Sequence, residues 1–160
     1  EDADDLLRDA QISASHALPE CEAENVLSGV SRTVGEQTNC WAAYAADHPT
    51  LTLRLAAPAA VRRIQLTFDS NLSREITISI NREVLGRQSA GTPPELVCSC
   101  RLVFVRDGAD VRHIDIEGLW QRRYVLDLEQ PILCDAIRIE NIRTHGAKII
   151  RIFEARAYRA

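Results

Sequence analysis

The sequence predicts an all-β fold, an eight-stranded antiparallel β-sandwich of the jelly-roll type. Several segments alternate apolar and polar residues with a period of two, which is typical of strands with one buried and one wet face. Turn-forming residues separate these segments at short intervals, and no helical pattern lies between them. Two sheets of such strands can bury their apolar faces against each other in a single core.

The N-terminal segment differs from the rest of the chain. Glu1 to Ala10 is acidic with one Leu-Leu step, and it predicts either one or two helical turns or a linker from an upstream domain. Because the chain starts at Glu1 and contains no methionine, we expect it to be an excised part of a longer protein. The domain itself is predicted over residues 11–160, with a first short strand over Gln11 to Ser15.

A long polar loop follows this first strand. Asn25 to Trp41 consists mainly of polar residues with two glycines among them, and its pattern fits neither helical nor strand periodicity. A loop of this length in a compact domain is usually functional rather than a simple connection.

The later strands are predicted from apolar patterns that turn residues interrupt. A continuous apolar run predicts a strand covered on both faces at Leu102 to Val105, and the last strand needs a bulge near Phe153-Glu154. Breaks are expected at Ala57-Pro58 and at Gln130-Pro131, among other turns. The other predicted strands lie at residues 51–55, 64–68, 76–80, 114–116, 122–128, 137–139 and 149–158.

The composition is that of an ordinary globular domain, and it excludes some functions. Hydrophobic residues make up 46% of the 160 residues, yet no apolar run approaches the roughly 20 residues that cross a bilayer. We therefore expect no membrane partner. The net charge of −4 and the pI of about 5.6 argue against a nucleic-acid partner. All the basic residues except Lys148 are arginines, which favour planar, bidentate partners.

The five cysteines leave two interpretations open. They are either small buried thiols on strands or, in an oxidising compartment, up to two disulfides whose pairing the sequence does not give. The Cys98-Ser-Cys100 spacing is too tight for the usual zinc or redox pairs. The remaining cysteines are Cys21, Cys40 and Cys134.

No catalytic constellation is present in the sequence. The four histidines lie in separate segments without metal-ligand spacing, and neither a nucleophile elbow nor a phosphate-binding glycine loop occurs. We therefore expect this domain alone not to be an enzyme, and we assign it no catalytic residue.

Polar and aromatic residues in the predicted loops are the candidate ligand-binding set. Aromatic faces can cover the C–H side of a sugar ring while polar side chains bond its hydroxyls. Two alternatives stay open, because Trp41 can instead anchor the core and the Arg122-Arg123 pair can sit on a solvated face. The candidates are Trp41, Asp69, Asn71, Arg74, Trp120, Arg122 and Arg123.

Several of these segments resemble discoidin-like domains, also called F5/8 type C or galactose-binding-like domains. Asn25-Val26-Leu27-Ser28-Gly29, the loop to Trp41, the Leu51 to Phe68 region and the closing Arg151 to Tyr158 strand carry the resemblance. It covers residues 11–158 and implies an eight-stranded jelly roll whose loops at one end can bind carbohydrate.

A narrower resemblance concerns the protein from which the chain comes. Asn25 to Trp41, Gln65 to Asp69 and Gln121 to Arg123 resemble the C-terminal module of a bacterial family with an N-terminal FAD-dependent oxidoreductase domain. The resemblance implies that FAD belongs to the upstream part only, and that this upstream catalytic domain is a partner of the chain.

The resemblance also raises a structural calcium ion. Many discoidin-like domains hold calcium with an Asp in the first loop and a Glu in the last strand. Glu154 matches the Glu and is a candidate ligand, but Ser28 stands at the Asp position and offers no charge. The alternative for Glu154 is a hydrogen bond to the long loop.

The sequence thus supports two functions. The first is a non-catalytic carbohydrate-binding accessory module of a larger bacterial enzyme. The alternative is a structural module that docks on its catalytic domain or dimerises and binds no sugar. An exposed aromatic residue in a loop-end pocket would favour the first, and a flat apolar patch would favour the second.

Overall fold

A computed structural model describes residues 4–70 and 92–159. Within these residues the chain forms seven strands and two short 3-10 helices, at Ala23–Leu27 and Ala45–Asp47. The strands are β1 (Gln11–Ala14), β2 (Trp41–Tyr44), β3 (Leu51–Phe68), β4 (Val97–Arg106), β5 (Ala109–Ile116), β6 (Arg123–Thr144) and β7 (Ile149–Tyr158). The predicted strand at residues 76–80 lies outside the described residues.

Two long strands, β3 and β6, pair with each other and connect two layers. The first layer pairs β1, the start of β3, the end of β6, β4 and β5, all antiparallel. The second layer pairs β2, β7, the end of β3 and the start of β6. Register shifts in the β3–β6 pairing, between Arg54 and Ala59 and between Val61 and Arg63, mark the transition from one layer to the other.

One apolar cluster joins the inner faces of both layers. Leu51, Leu53 and Phe104 from the first layer belong to the same buried cluster as Ile64 and Ile152 from the second. This is the main core of a sandwich, so the predicted all-β sandwich is confirmed. All four residues of the predicted continuous run at 102–105 are buried, as expected for a strand covered on both faces.

Two of the breaks predicted at proline are wrong. Pro58 lies inside β3 and Pro131 lies inside β6. Pro58 is exposed and falls in a register shift, where no ladder hydrogen bond from its missing N–H is needed. Pro131 is likewise exposed and lies between the paired segments of β6.

The predicted bulge in the last strand is confirmed. Thr67 pairs with Glu154, whereas the next residue, Phe68, pairs with Ile152, so Phe153 is the extra residue. The bulge restores the alternation and keeps Ala155 and Ala157 buried on the core side.

The N-terminal segment packs against the sandwich. The Leu6 N–H donates to the Ala157 carbonyl oxygen at 2.7 Å, Asp5 forms a bridge with Tyr158, and Leu7 is buried in the main core. That these residues lead from an upstream domain stays a prediction. In the parts of the chain that the structure describes, no helix is long and apolar enough to cross a membrane.

Candidate functional site

A polar groove of about 690 Å³ lies on the outer face of the second layer. Alternation places it there: Ile64 and Leu66 point into the core, so their neighbours on β3 point outward. The residues that line the groove are Asp4, Gly29, Ser31, Arg63, Gln65, Thr67, Arg122, Arg123, Glu154, Arg156 and Tyr158.

The register of three strands builds the floor of this groove. Along β3, Thr67 pairs with both Arg123 on β6 and Glu154 on β7. Two residues earlier, Gln65 pairs with Arg156 on β7. Side chains from chain segments about ninety residues apart therefore stand side by side on one face.

Arg122 is held at the end of the groove by two neutral partners. Its guanidinium donates a short hydrogen bond to the Ser31 carbonyl oxygen, and its Cζ lies 5.7 Å from the centre of the Phe153 ring. The ring face attracts the cation without cancelling its charge. Arg122 is therefore fixed in position while it remains a full positive charge.

Arg123 has a similar environment. Its guanidinium donates a short hydrogen bond to the side-chain oxygen of Gln65, which is neutral. Among the described residues, neither Arg122 nor Arg123 forms an ion pair with a carboxylate. Two guanidiniums at one groove thus keep charge that an anion can pair with.

The other two arginines of the groove are paired. Arg63 Nε lies 2.5 Å from an Asp127 oxygen, and Arg156 donates to Glu154 Oε1 from two nitrogens at 2.6 and 2.8 Å. The hydrogen bond to the carboxylate is the largest cause that raises the pKa of each guanidinium. These two side chains are occupied by the protein itself.

The long loop borders the groove and is anchored at both ends. The Asn25 side-chain amide donates to the Cys40 carbonyl oxygen at 3.0 Å, and Thr38 Oγ1 donates to the Glu20 carbonyl oxygen at 2.7 Å. Gly29 enters the groove wall with a φ of 75°, a conformation that favours glycine. The loop thereby places the Ser31 carbonyl against Arg122.

Trp41 does not contribute to a binding site. Its side chain is fully buried, and its indole N–H donates to the His16 carbonyl oxygen at 2.9 Å. It is the core anchor that the sequence left as the alternative to a ligand contact. Because a fully buried ring cannot contact a ligand from solvent, we do not include it in the candidate site.

Asp69 borders a second cavity, which residues of the long loop also line. This cavity of about 370 Å³ also contains Arg151, whose guanidinium lies 3.8 Å from an Asp69 oxygen, and the Phe153 ring. Arg122 contacts the same ring from the side of the groove. Asp69 thus lies near the candidate groove but does not line it.

Trp120 is the most exposed large aromatic side chain among the described residues, with 68% of its surface accessible. The preceding Leu119 is buried, and its carbonyl oxygen lies 2.6 Å from His145 Nε2. Trp120 lines none of the described cavities. The remaining two candidates, Asn71 and Arg74, lie outside the described residues.

The described residues do not fit a calcium ion at the Glu154 position. Both oxygens of Glu154 already accept hydrogen bonds, from Arg156 and, at 3.4 Å, from Thr67 Oγ1. The Arg156 guanidinium would repel a cation there, and Ser28 Oγ instead accepts the Val30 N–H. Within residues 4–70 and 92–159, no group of three His, Cys, Asp or Glu is placed to hold a metal. The expected bond from Glu154 to the long loop is also wrong, because its partners lie on β3 and β7.

Sequence reasoning missed most of the groove floor. The alternation of β3 indicates that Arg63, Gln65 and Thr67 face outward, and the bulge in β7 puts Glu154 and Arg156 outward as well. That signal was present in each strand separately. It could not show that the strands are neighbours, which only the register reveals.

The fold is shared with solved carbohydrate-binding modules. The lectin domain of lectinolysin complexed with Lewis B antigen is similar with a TM-score of 0.71 and 11% identity, covering 100% of this chain and 99% of that one. The family 32 carbohydrate-binding module from Streptococcus pneumoniae EndoD has a TM-score of 0.69 and 17% identity, with 98% and 99% covered.

A third structure of the same type is the family 32 module of NanJ from C. perfringens, in complex with galactose. Its TM-score is 0.66 at 15% identity, and 97% of this chain and 98% of that chain are covered. No family model matches the sequence, and no curated protein matches it. The chain has the galactose-binding-like β-sandwich fold of these modules along nearly its whole length.

Proposed function

We propose that this chain is a non-catalytic carbohydrate-binding module, and that it binds sugars carrying a carboxylate in the polar groove. The observation that carries the proposal is the pair of guanidiniums, Arg122 and Arg123, which face the groove with neutral partners. The shared fold supports the carbohydrate part of the proposal, because similar structures were solved with Lewis b and galactose bound.

The chemistry of the groove suits an acidic sugar. A guanidinium presents a planar fork of donors that matches a carboxylate, and such charge-assisted bonds are roughly twice as strong as neutral ones. Gln65 and Thr67 offer donors and acceptors for hydroxyl groups, and Tyr158 offers an aromatic ring at the groove. A neutral sugar would leave the two charges uncompensated by the ligand.

The proposal is tested by titrating the isotope-labelled chain with galacturonic acid, N-acetylneuraminic acid and galactose, followed by amide NMR and calorimetry. We expect the acidic sugars to bind at or below millimolar concentration and to shift the amides of Thr67, Arg123 and Arg156. Absence of binding by every sugar would overturn the carbohydrate proposal. Shifts confined to residues far from the groove would overturn the location.

The parent protein is a further part of the proposal. The resemblance of Asn25 to Trp41 and of Gln121 to Arg123 supports an upstream FAD-dependent oxidoreductase domain, for which this chain is the accessory module. Purification of the longer protein should give a flavin absorption spectrum, and deletion of this module should leave that spectrum intact. A longer protein without flavin would contradict the proposed parent.

One observation favours the alternative, a docking module. Trp120 is exposed outside every described cavity, as expected of an aromatic residue that a partner domain covers. On that alternative, Trp120→Ala weakens association with the upstream domain and leaves sugar titrations unchanged. If Trp120→Ala instead abolishes sugar binding, the ligand contacts Trp120 and the docking alternative is wrong.

A further inference from the structure

Two of the five cysteines bracket the long loop. Cys21 lies just before the loop, and Cys40 ends it immediately before β2. Both are buried, with exposures of 7% and 1%, and they share a small apolar cluster with Ala42 and Phe153, separate from the main core. Residues far apart along the chain are therefore neighbours at the base of the loop.

The two side chains lie close together within this cluster. Burial raises the pKa of Cys40 to about 12, and the neighbouring Cys21 thiol adds to the shift. The backbones are also close, because the Ala42 N–H donates to the Cys21 carbonyl oxygen at 3.2 Å. The Cys21 thiol additionally lies 3.4 Å from Thr38 Oγ1, at the end of the same loop.

The other three cysteines lack such a partner among the described residues. The Cys98 thiol donates to the Thr144 carbonyl oxygen at 3.3 Å. Cys100 and Cys134 are buried in the main core, where burial raises the pKa of Cys100 to about 12 and of Cys134 to about 11. The pKa of Cys40 is raised as well, so what sets Cys21 and Cys40 apart is the neighbouring thiol in their shared cluster and not the pKa.

We propose that Cys21 and Cys40 are a site of oxidative modification, at which an intramolecular disulfide closes the long loop. The oxidant is a small-molecule or protein disulfide. One thiolate attacks it to give a mixed disulfide, and the second thiolate then displaces the other half. Each cysteine loses a proton, one S–S bond forms, and the oxidant takes up two electrons and leaves as two thiols.

The order of attack follows from exposure. Cys21 is the more accessible of the two, so an oxidant reaches it first and Cys40 resolves the mixed disulfide. The pKa of Cys40 is raised to about 12, so its thiolate is scarce at neutral pH. Disulfide formation should therefore be slow at pH 7 and accelerate steadily as the pH rises toward 10.

The disulfide would act on the loop without changing the core. Closing a loop of about 20 residues constrains the unfolded chain, and we expect the midpoint of thermal unfolding to rise by about 6–12 °C. Because the loop also carries Gly29 and Ser31 into the groove wall, oxidation fixes the base from which they extend. The inference does not depend on sugar binding.

The test oxidises the purified chain under native conditions with glutathione disulfide and follows intact mass and a peptide map. We expect a mass loss of two hydrogen atoms, a single cross-link between Cys21 and Cys40, and a midpoint that a reductant lowers again. Failure to form this cross-link at pH 9, or a cross-link between other cysteines, would overturn the proposal.

Matched variants separate the site from nonspecific oxidation. Cys21→Ser should lose both the mass change and the reductant-sensitive midpoint, whereas Cys98→Ser should behave like the unaltered chain. Should Cys21→Ser fail to fold, alkylation of the unaltered chain after oxidation gives the same answer. Protection of Cys21 and Cys40 alone supports the proposal, and labelling of both after oxidation contradicts it.

Discussion

The outer faces of the two layers carry arginines in opposite situations. On the first layer, Arg101 forms a bidentate pair with Asp115, at 2.6 and 3.0 Å, and Arg138 bonds both Asp110 and Glu140 at 2.9 Å. On the second layer, Arg122 and Arg123 bond only neutral groups. Arg101 and Arg138 are neutralised by carboxylates of their own face, whereas Arg122 and Arg123 keep two charges exposed to the groove.

The difference separates structural arginines from arginines available to a ligand. A guanidinium that pairs with a carboxylate of its own sheet has little left to offer an anion, whereas one held by a carbonyl or an amide is oriented but not neutralised. The same division runs through the groove itself, where Arg63 and Arg156 are paired and Arg122 and Arg123 are not. Exposure alone does not reveal this, because arginines of both kinds are accessible.

The largest effect is expected from Arg123→Gln. Loss of a charge-assisted hydrogen bond should cost about 1.5–3 kcal/mol of binding free energy, which corresponds to a roughly 10- to 100-fold weaker affinity for an acidic sugar. The affinity of Arg123→Lys for the acidic sugar should lie between those of Arg123→Gln and the unaltered chain, because lysine keeps the charge but lacks the planar fork of donors. Calorimetric titration with galacturonic acid measures all three.

Arg138→Gln is the matched control on the opposite face. It removes an arginine from the same strand, β6, without touching the groove, so the affinity for the acidic sugar should stay unchanged. Equal losses for Arg123→Gln and Arg138→Gln would mean that only net charge matters, and the distinction between the faces would be wrong.

Arg138→Gln should instead affect stability. It leaves Asp110 and Glu140 without the guanidinium that joins them, and partly exposed ion pairs of this kind contribute at most about 1 kcal/mol. We expect the midpoint of thermal unfolding to fall by about 2–4 °C. An unchanged midpoint would show that the pairs on this face are not stabilising.

The smallest effect concerns the acid limb of the stability curve. The hydrogen bond from Arg101 lowers the pKa of Asp115 below its usual value. A depressed folded-state pKa stabilises the protein above the unfolded-state pKa of about 3.9, and this contribution disappears as the pH falls through the folded-state value. The Asp115→Asn variant lacks this contribution. Its free energy of unfolding should therefore be lower than that of the unaltered chain at pH 7, and the difference should shrink toward pH 2.

Urea unfolding from pH 7 to pH 2 measures this convergence. Parallel loss of stability in the variant and the unaltered chain would show that the Arg101–Asp115 pair contributes nothing that depends on protonation. Salt provides an independent check, because screening should reduce the difference in unfolding free energy between the variant and the unaltered chain at pH 7.

The strand pattern was predictable because it is local. Period-two alternation located the two ends of β3, a continuous apolar run located the middle of β4, and the interrupted alternation of the last strand located its bulge. Each of these patterns involves side chains within a few residues. The continuity of β3 and β6 was not predictable. A proline usually ends a strand, and only the register shift beside Pro58 shows that this one is tolerated.

The candidate site was predictable only in part, for the same reason. Arg122 and Arg123 stand out as neighbours in sequence, and they do line the groove. Gln65 and Arg156 are adjacent only through the pairing of β3 with β7, which no local pattern encodes. Trp41 was included in the candidate site although it is buried, because the sequence does not show whether an aromatic residue at the end of a loop is buried or exposed.

The most direct test of the account compares galacturonic acid with galactose on the unaltered chain at low ionic strength. The two sugars differ only at C6, where galacturonic acid carries a carboxylate and galactose a hydroxymethyl group, so the ratio of their affinities reports the contribution of the two guanidiniums. We predict that galacturonic acid binds at least about tenfold more tightly, as expected for a charge-assisted pair. Equal affinities, or tighter binding of galactose, would contradict the claim that Arg122 and Arg123 select an acidic ligand.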